Sequence, residues 1–410
     1  MIGAEKSTAG YDVAWKHLGS DLYSIWATDS SGNFLSYAHY SGDDYALQSI
    51  EGGFHQDLNS DGQIGLFSTV IESAGVTRLT GVVDEYYLFD SNGTGPALRF
   101  NDENVAVGAF GPSWSPIGAE ITSAGYQVAW KFSGTDLYSI WNTDALGNVA
   151  AYKHYSGAAY GLQALETSFR QDLNSDGQIG PKTSVIESKG ATRLTSLADE
   201  YYLYNSSAVG PSLKLSGVNV IANQFGSAWQ PIGAEAIANG YTVVWKYDGS
   251  DLYSIWNTDL SGNVRSFVHA LEIEFSLQSL ETSFDQDLNS DGTTGAVTRV
   301  IETAGASFLT QVADRYYIFD AAGAGPTLSC YDSPVFDGEF TPWAPIAAEA
   351  TGSGYLVAWK YGATDLYSIW NTDRGGDVTS YVHYSGSDSA LKALETAFAQ
   401  DINGDAIIGL

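Results

Sequence analysis

Apolar and polar positions alternate with a period of two along Tyr126-Gln127-Val128-Ala129-Trp130-Lys131, as in a β-strand with one face in a core. The next stretch, Asp136-Leu137-Tyr138-Ser139-Ile140-Trp141, carries large side chains on both faces, which predicts a sheet covered on both sides. Asn142-Thr143-Asp144 to Gly147-Asn148 reads as a hairpin turn, with Asp bonding the local backbone and Gly supplying a positive φ. Asn148 to Tyr155 returns as a strand, and with Ile117 to Ile121 in front the stretch supplies about four short antiparallel strands. The period then changes. Leu162, Leu165 and Phe169 lie three and four apart and predict a short helix.

This pattern is copied. Ile2-Gly3-Ala4-Glu5 returns at Ile117, at Ile232 and, as Ile-Ala-Ala-Glu, at Ile346, spacings of 115, 115 and 114 residues. All 11 Trp residues fall in three slots of that period: Trp114, Trp229 and Trp343; Trp15, Trp130, Trp245 and Trp359; Trp26, Trp141, Trp256 and Trp370. The first copy lacks only the opening Trp, as though the series were entered partway through. Between these tryptophan-type halves lies a weaker echo. In one copy it runs from Ile186-Glu187 through Thr192 to Thr195 and Tyr201-Tyr202-Leu203-Tyr204, with Ser212 to Leu215 as a fourth strand.

The fold expected is all-β with short helices, built from tandem four-stranded antiparallel units. Seven are counted, four of the tryptophan type and three of the Tyr-Tyr type. Residues 1–65 form a half repeat, and 66–180, 181–295 and 296–410 form full ones. Two arrangements fit: propeller-like or otherwise stacked sheets, and β-sandwich domains in series. The serial arrangement leaves residues 1–65 unmatched with a large apolar face in water, which favours the first.

Each predicted helix runs into an acidic loop. Gln56-Asp57-Leu58-Asn59-Ser60-Asp61-Gly62-Gln63-Ile64-Gly65 alternates oxygen-bearing side chains so that a tight loop aims three of them at one hard cation, as in the first two-thirds of an EF-hand loop. The expected ligands are Asp57, Asn59, Asp61 and the Gln63 carbonyl, and Ile64 is expected to anchor the loop. The same places are held by Asp172, Asn174, Asp176 and Gln178, by Asp287, Asn289, Asp291 and Thr293, and by Asp401, Asn403 and Asp405. The twelfth position, a bidentate Glu in an EF-hand, holds Ser68, Thr183 and Thr298. The missing ligand is therefore sought at Glu51, Glu166, Glu281 and Glu395, or at Glu72, Glu187 and Glu302. Ala406 replaces the turn Gly in the fourth loop and Thr294 the apolar anchor in the third, so both are expected to hold Ca2+ more weakly.

The string Trp229-Gln230-Pro231-Ile232-Gly233-Ala234-Glu235, Gly240 to Lys246 and Ile255-Trp256-Asn257-Thr258-Asp259 resembles the tryptophan-rich repeat domain of large secreted and surface proteins of cyanobacteria and other bacteria, often found beside RTX haemolysin-like calcium repeats. The resemblance covers nearly the whole chain. Its Asp-x-Asn-x-Asp-Gly loop is similar to that of dockerins, without a second helix and loop. What the resemblance implies is an extracellular, cell-surface or matrix role; it brings no catalytic residues.

Charge narrows the partners. With 18 basic and 48 acidic residues the net charge is −30, which repels nucleic acid and anionic membranes and attracts divalent cations. No apolar run is long enough to span a bilayer, and Met1-Ile2-Gly3 does not begin a secretory signal. Cys330, the only cysteine, shares its repeat position with Phe100 and Leu215 and reads as a buried hydrophobe.

Glu5, Glu120, Glu235 and Glu349 recur eleven residues before Lys16, Lys131, Lys246 and Lys360, with Asp21, Asp136, Asp251 and Asp365 five further on. A repeated ion pair across strands explains this better than a glycosidase carboxylate pair, because an enzyme needs one site and a scaffold needs the same bond in every copy. His39, His154, His269 and His383 share a strand position and are expected on its surface. No nucleophile elbow or zinc spacing occurs. Trp114, Trp229 and Trp343, each two residues before a Pro, are the candidates for ligand binding, since an exposed indole stacks on a sugar ring.

The function expected is a non-enzymatic, calcium-binding extracellular repeat protein with a structural or adhesive role, filament- or layer-forming. The alternatives are a carbohydrate-binding, lectin-like module and an accessory region of a larger secreted hydrolase. Self-association and surface polysaccharide are the partners expected.

Overall fold

The alternation of Tyr126 to Lys131 becomes the second strand of a four-stranded antiparallel meander: Trp114–Thr122, Gly125–Phe132, Leu137–Thr143 and Val149–Tyr155, paired in chain order. In a pleated strand successive side chains face opposite ways, so the two apolar faces of this sheet need two covers. One is the helix α2 (Tyr160–Phe169): Leu162, Phe169 and the following Leu173 bury against Ala129, Tyr138 and Ile140. The other is the Tyr-Tyr half that precedes the sheet in sequence. Its Leu79, Tyr86, Leu88, Leu98 and Val105 form one core with Val128, Trp130 and Trp141.

The computed structural model describes every residue from Met1 to Leu410, in two compact units: Met1–Thr183 with Leu197–Asp199, and Ser184–Ser196 with Glu200–Leu410. The first unit holds a tryptophan sheet (Gly3–Lys6, Gly10–Lys16, Tyr23–Asp29, Phe34–Tyr40) with its helix α1 (Tyr45–Phe54) and then a full sandwich. The second holds two full sandwiches, closed by α3 (Phe275–Phe284) and α4 (Ser389–Phe398), with cores around Trp245 and Trp359 that repeat the one around Trp130. Each Tyr-Tyr half has three regular strands, Ser68–Glu72, Arg78–Val82 and Glu85–Phe89 in the first unit. The expected fourth is cut to a two-residue strand (Arg99–Phe100 here, Lys214–Leu215 in the next copy) that pairs onward with Glu103–Asn104, and the segment before it lies along the third: the Leu88 N–H donates to Pro96 O at 2.9 Å and the Leu98 N–H to Tyr86 O at 2.7 Å.

The sheets therefore stack face to face in pairs, each Tyr-Tyr half on the tryptophan half that follows it. Four tryptophan sheets meet three Tyr-Tyr halves, and the first sheet has no mate. The exposure that argued against an unmatched half is present: Trp15 and Trp26 are each 38% exposed, where Trp130 and Trp141 are 2% and 7%.

Two contacts fix how the halves meet. The hydroxyls of Thr77, Thr192 and Ser307 accept the N–H of Ile121, Ala236 and Ala350 at 2.9, 3.0 and 3.1 Å. At the far end, the hairpin Gly147 (φ +83°) lies so close to the Tyr-Tyr half that a Cβ would sit 2.1 Å from Ala97 O, and its carbonyl accepts the Arg99 N–H at 2.8 Å. Only glycine supplies both that φ and that approach. The equivalent Gly32 (φ +83°) of the unmatched sheet faces open space.

Candidate binding clefts and acidic loops

Strand register builds the first candidate site. Pro116, Trp130, Ser139 and His154 are successive cross-strand partners, so their side chains share one face of the sheet, and Trp141 opposite Tyr152 forms the next row. Trp114, at the start of its strand, stacks on His154 with centroids 5.9 Å apart and planes at 27°. Trp130 and Trp141 lie 4.6 Å apart, and Phe110 stands edge-on to both at 6.1 and 5.0 Å. Together they line a cavity of about 230 Å³ with an aromatic wall, a buried floor and an exposed rim at Tyr152.

The cleft recurs. Phe225, Trp229, Trp245, Trp256, Phe267 and His269 line one of about 320 Å³, and Phe340, Trp343, Trp359, Trp370, Tyr381 and His383 one of about 480 Å³. Trp229 and Trp343 stack on His269 and His383 at 5.9 and 5.2 Å. Trp114, Trp229 and Trp343 thus lie half-buried in the wall. The histidines stand exposed on the strand surface, as expected, and from there form the other half of that wall. The four that share a strand position pointed to them; Phe110, Phe225 and Phe340 sit in irregular chain with no strand pattern to reveal a role.

The floor of each cleft holds polar atoms without partners. The indole Nε1 of Trp130, Trp245 and Trp359 is buried with no acceptor, and so are the hydroxyls of Ser139 and Ser368. In the middle copy Ser254 instead accepts from Trp256 Nε1 at 3.0 Å. A buried donor left unpaired costs about 1–3 kcal/mol, yet the arrangement occurs in all three sandwiches.

The acidic loops are the second candidate site. Leu58, Leu173, Leu288 and Ile402 anchor them in the core, whereas Ile64 and Ile179 are exposed; Thr294 therefore removes no anchor from the third loop, contrary to expectation. Asp57 accepts the N–H of Ser60 and Gly62 at 2.6 and 2.9 Å, Asn59 that of Asp61 at 3.0 Å, and Asp61 that of Gln63 at 2.9 Å. Asp172, Asn174 and Asp176, Asp287, Asn289 and Asp291, and Asp401, Asn403 and Asp405 fold their loops through the same kind of bonds.

Neither set of glutamates completes the loops as metal ligands. Glu166 is fully buried and accepts three backbone N–H groups, from Leu173 at 3.0 Å, Asn174 at 3.3 Å and Gly180 at 2.9 Å. Glu51, Glu281 and Glu395 do the same. Burial pushes the carboxyls of Glu166 and Glu281 up from the ordinary range despite these bonds. Glu72, Glu187 and Glu302 turn toward the sandwich interior, where they accept from Ala74, Lys189 and Ala304.

No three His, Cys, Asp or Glu side chains are grouped closely enough to hold a metal ion by themselves. A cation in a loop would rest on two carboxylates, one Asn oxygen and a carbonyl, with water for the remainder. Such an all-oxygen donor set, whose carboxylates each keep free lone pairs, fits calcium. The fourth loop differs by one side chain that the sequence pattern did not flag. Lys392, where the other helices carry Gln48, Gln163 and Gln278, puts its ammonium 2.6 Å from Asp405 Oδ2.

The expected Glu–Lys ion pairs do not form. The Lys131 ammonium lies 5.0 Å over the Tyr138 ring, as Lys16, Lys246 and Lys360 lie over theirs. Glu120, Glu235 and Glu349 accept the N–H of Val76, Ala191 and Ala306 from the paired half at 3.0, 2.8 and 2.9 Å. Asp136 accepts the Gly157 N–H at 2.9 Å.

No curated protein matches the chain significantly. Solved structures similar to it include a prolyl endopeptidase from a study of two such enzymes (8% identity, 77% of this chain and 42% of that chain, TM-score 0.17), Kluyveromyces lactis Hsv2 (9%, 72% and 70%, 0.14) and the periplasmic gluconolactonase PpgL of Pseudomonas aeruginosa (14%, 93% and 94%, 0.15). At such TM-scores these likenesses do not bear on the fold. The family comparison does identify the repeat. Four segments, residues 1–65, 76–180, 192–295 and 306–409, match one model, and the first lacks the part of the unit that the Tyr-Tyr half supplies elsewhere. The chain belongs to the family of the tryptophan-rich Synechocystis species C-terminal domain, carried here four times.

Proposed function

We propose that the chain is a non-enzymatic, multivalent binding protein of an extracellular or cell-surface setting, in which each aromatic cleft holds one unit of a surface polysaccharide. The observation that carries this reading is the threefold recurrence of an aromatic cleft with a Trp–His stack in its wall and a large exposed aromatic ring at its rim. Sugars present an apolar C–H face that stacks on aromatic rings and a ring of hydroxyls that need partners. A polymer offers the same unit many times, so equivalent weak sites on one chain gain by avidity. The same equivalence weighs against a catalytic centre. Calcium in the acidic loops would stiffen this scaffold by binding only the folded chain.

A glycan array with the full chain tests the reading. Binding to at least one polysaccharide class is expected, and replacing Trp114, Trp229 and Trp343 together by Ala should abolish it. A chain that binds no glycan at any concentration sinks the proposal.

The exposed tryptophan face of residues 1–40 favours a second reading, self-association at that face. Light scattering in millimolar calcium decides it: a monomer mass at high protein concentration removes it.

A further inference from the structure

We infer that the open face of residues 3–40 is a docking site for an unpaired Tyr-Tyr half carried by another polypeptide. This stands apart from the carbohydrate reading, and it gives the exposed face a different occupant from a second copy of the chain.

The face keeps the docking surface of the three covered sheets. Ala4, Val13 and Trp26 are cross-strand partners in the same register as Ala119, Val128 and Trp141, and Trp15 lies opposite Ser24 as Trp130 lies opposite Ser139. In the second sheet these side chains form one core with Leu79, Tyr86 and Leu88 of the half above, and the same core recurs around Trp245 and Trp359. In the first sheet Ala4, Trp15 and Trp26 are exposed and Val13 is half-buried. The face is thus the repeat equivalent of an interface that the chain forms three times, each time with the same kind of segment. Burying it removes large aromatic surface from water, which is the main driving force for association.

The polar groups that meet a cover are kept as well. Glu120, Glu235 and Glu349 each accept a turn N–H from the half above, and Glu5 holds that place with its side chain in solvent. Lys6 holds the place of Ile121, whose N–H donates to the Thr77 hydroxyl. At Gly147, Gly262 and Gly376 a Cβ would lie 2.1, 2.2 and 2.3 Å from a carbonyl oxygen of the half, whereas the matching Gly32 has nothing within 4 Å. The hairpin of the first sheet therefore leaves the same gap for an incoming backbone, and nothing fills it.

These contacts specify the occupant. It needs short antiparallel strands that aim Leu and Tyr at one side, as Leu79, Tyr86 and Leu88 do, and a Thr or Ser hydroxyl for the edge N–H. It also needs a turn glycine beside Glu5, because at Gly75, Gly190 and Gly305 a Cβ would fall within 2.3 Å of the docking carboxylate. A second copy does not bring these groups. Its three Tyr-Tyr halves already lie over their own sheets, and its open face offers neither a turn amide for Glu5 nor that hydroxyl.

Calorimetric titration of the full chain with residues 66–113, fused behind a soluble carrier protein, tests this. One equivalent should bind, with tryptophan emission shifting to the blue as Trp15 and Trp26 leave water. Trp15→Ala and Gly32→Ala in the chain should each weaken binding by about tenfold or more. Gly32→Ala acts by setting a methyl against the incoming backbone, and costs the free chain only backbone strain. A chain with residues 66–116 copied in front of Ile2, so that its own face is covered, should capture none of the probe. A monomeric chain that takes up no probe overturns the proposal, and burial of Trp15 in the chain with the added copy shows in that case that the half itself is sound. Binding that survives both Trp15→Ala and Gly32→Ala lies elsewhere and overturns it too. A dimer that Trp15→Ala dissociates overturns it in favour of a second copy.

Discussion

The first and second tryptophan sheets have nearly the same strands and opposite surroundings. Gly10–Lys16 and Tyr23–Asp29 match Gly125–Phe132 and Leu137–Thr143, and each sheet rests one face on its own helix and loop. Over the other face, the second sheet carries a Tyr-Tyr half and the first carries nothing. Trp130 meets Tyr86 edge-on at 5.6 Å, whereas Trp15 has only Trp26 beside it at 5.2 Å. Glu120 is 4% exposed and bonded to the opposite half, whereas Glu5 stands in solvent. The motif supplies a sticky face; the mate turns it into a core and a cleft.

The sharpest way to break this comparison is to remove one indole from each sheet. Trp130→Ala should cost about 3–5 kcal/mol, as truncation of a buried Trp does, and Trp15→Ala about 1 kcal/mol or less. Urea unfolding followed by circular dichroism measures both; equal losses would mean that the Tyr-Tyr half adds little to the core. Glycine gives the next largest contrast. Gly147→Ala should cost roughly 2–3 kcal/mol, because the methyl adds a backbone clash to the strain of a positive φ. Gly32→Ala carries only the strain, about 1 kcal/mol. Comparable melting curves for the two variants would show that the hairpin is free to move away.

Calcium should ignore the difference between the sheets, since the loops of both fold through the same bonds. Each occupied loop is expected to add about 2–3 kcal/mol to its own folding unit at a hundredfold excess over Kd, and chelation should lower the thermal midpoint accordingly. Asp57→Ala and Asp172→Ala should lose equal shares of that response. Asp401→Ala should lose less, because Lys392 already neutralises Asp405, and Lys392→Gln should raise the response of the fourth loop. A melting curve indifferent to thorough chelation removes calcium from the account.

The smallest effect expected is one of pH. Desolvation raises the Glu120, Glu187, Glu235 and Glu302 carboxyls above their ordinary value. A carboxyl whose folded pKa is raised binds more protons folded than unfolded, so its contribution falls as pH climbs from about 4.3 through the raised value. The thermal midpoint should therefore fall as the pH rises past that point, each unit of displacement being worth about 1.4 kcal/mol. Glu120→Gln should flatten that slope. A midpoint that instead rises over this range would place the controlling carboxylates elsewhere.

Much of this was legible in the chain. Alternation at Tyr126 to Lys131, the three-four spacing of Leu162, Leu165 and Phe169, and the repeated Asp-x-Asn-x-Asp loops are local signals, and local geometry honours them. What was not legible is what long-range packing decides. Glu166 looks like a metal ligand because it lies six residues before Asp172, yet the loop folds back so that its carboxylate meets three amides. Glu120 and Lys131 look paired on spacing alone, but Lys131 finds a tyrosine face and Glu120 a neighbouring sheet. A large apolar face argued against an unmatched first half, and within residues 1–410 no second half covers it. Burial of one sheet depends on the supply of another, which no periodicity records.

The order of the halves along the chain has a consequence in time. Residues 66–113, the first Tyr-Tyr half, leave the ribosome after one tryptophan sheet and before the sheet they pack on. Completing the strand that ends at Tyr155 takes some forty residues more, a few seconds at about 5–20 residues per second. For that interval the sheet of residues 3–40 offers the same alternating face, the same turn glycine and a glutamate at the same place. A half that docked there first would have to let go again before the native pairing could form, so two near-identical partners would compete for it during synthesis.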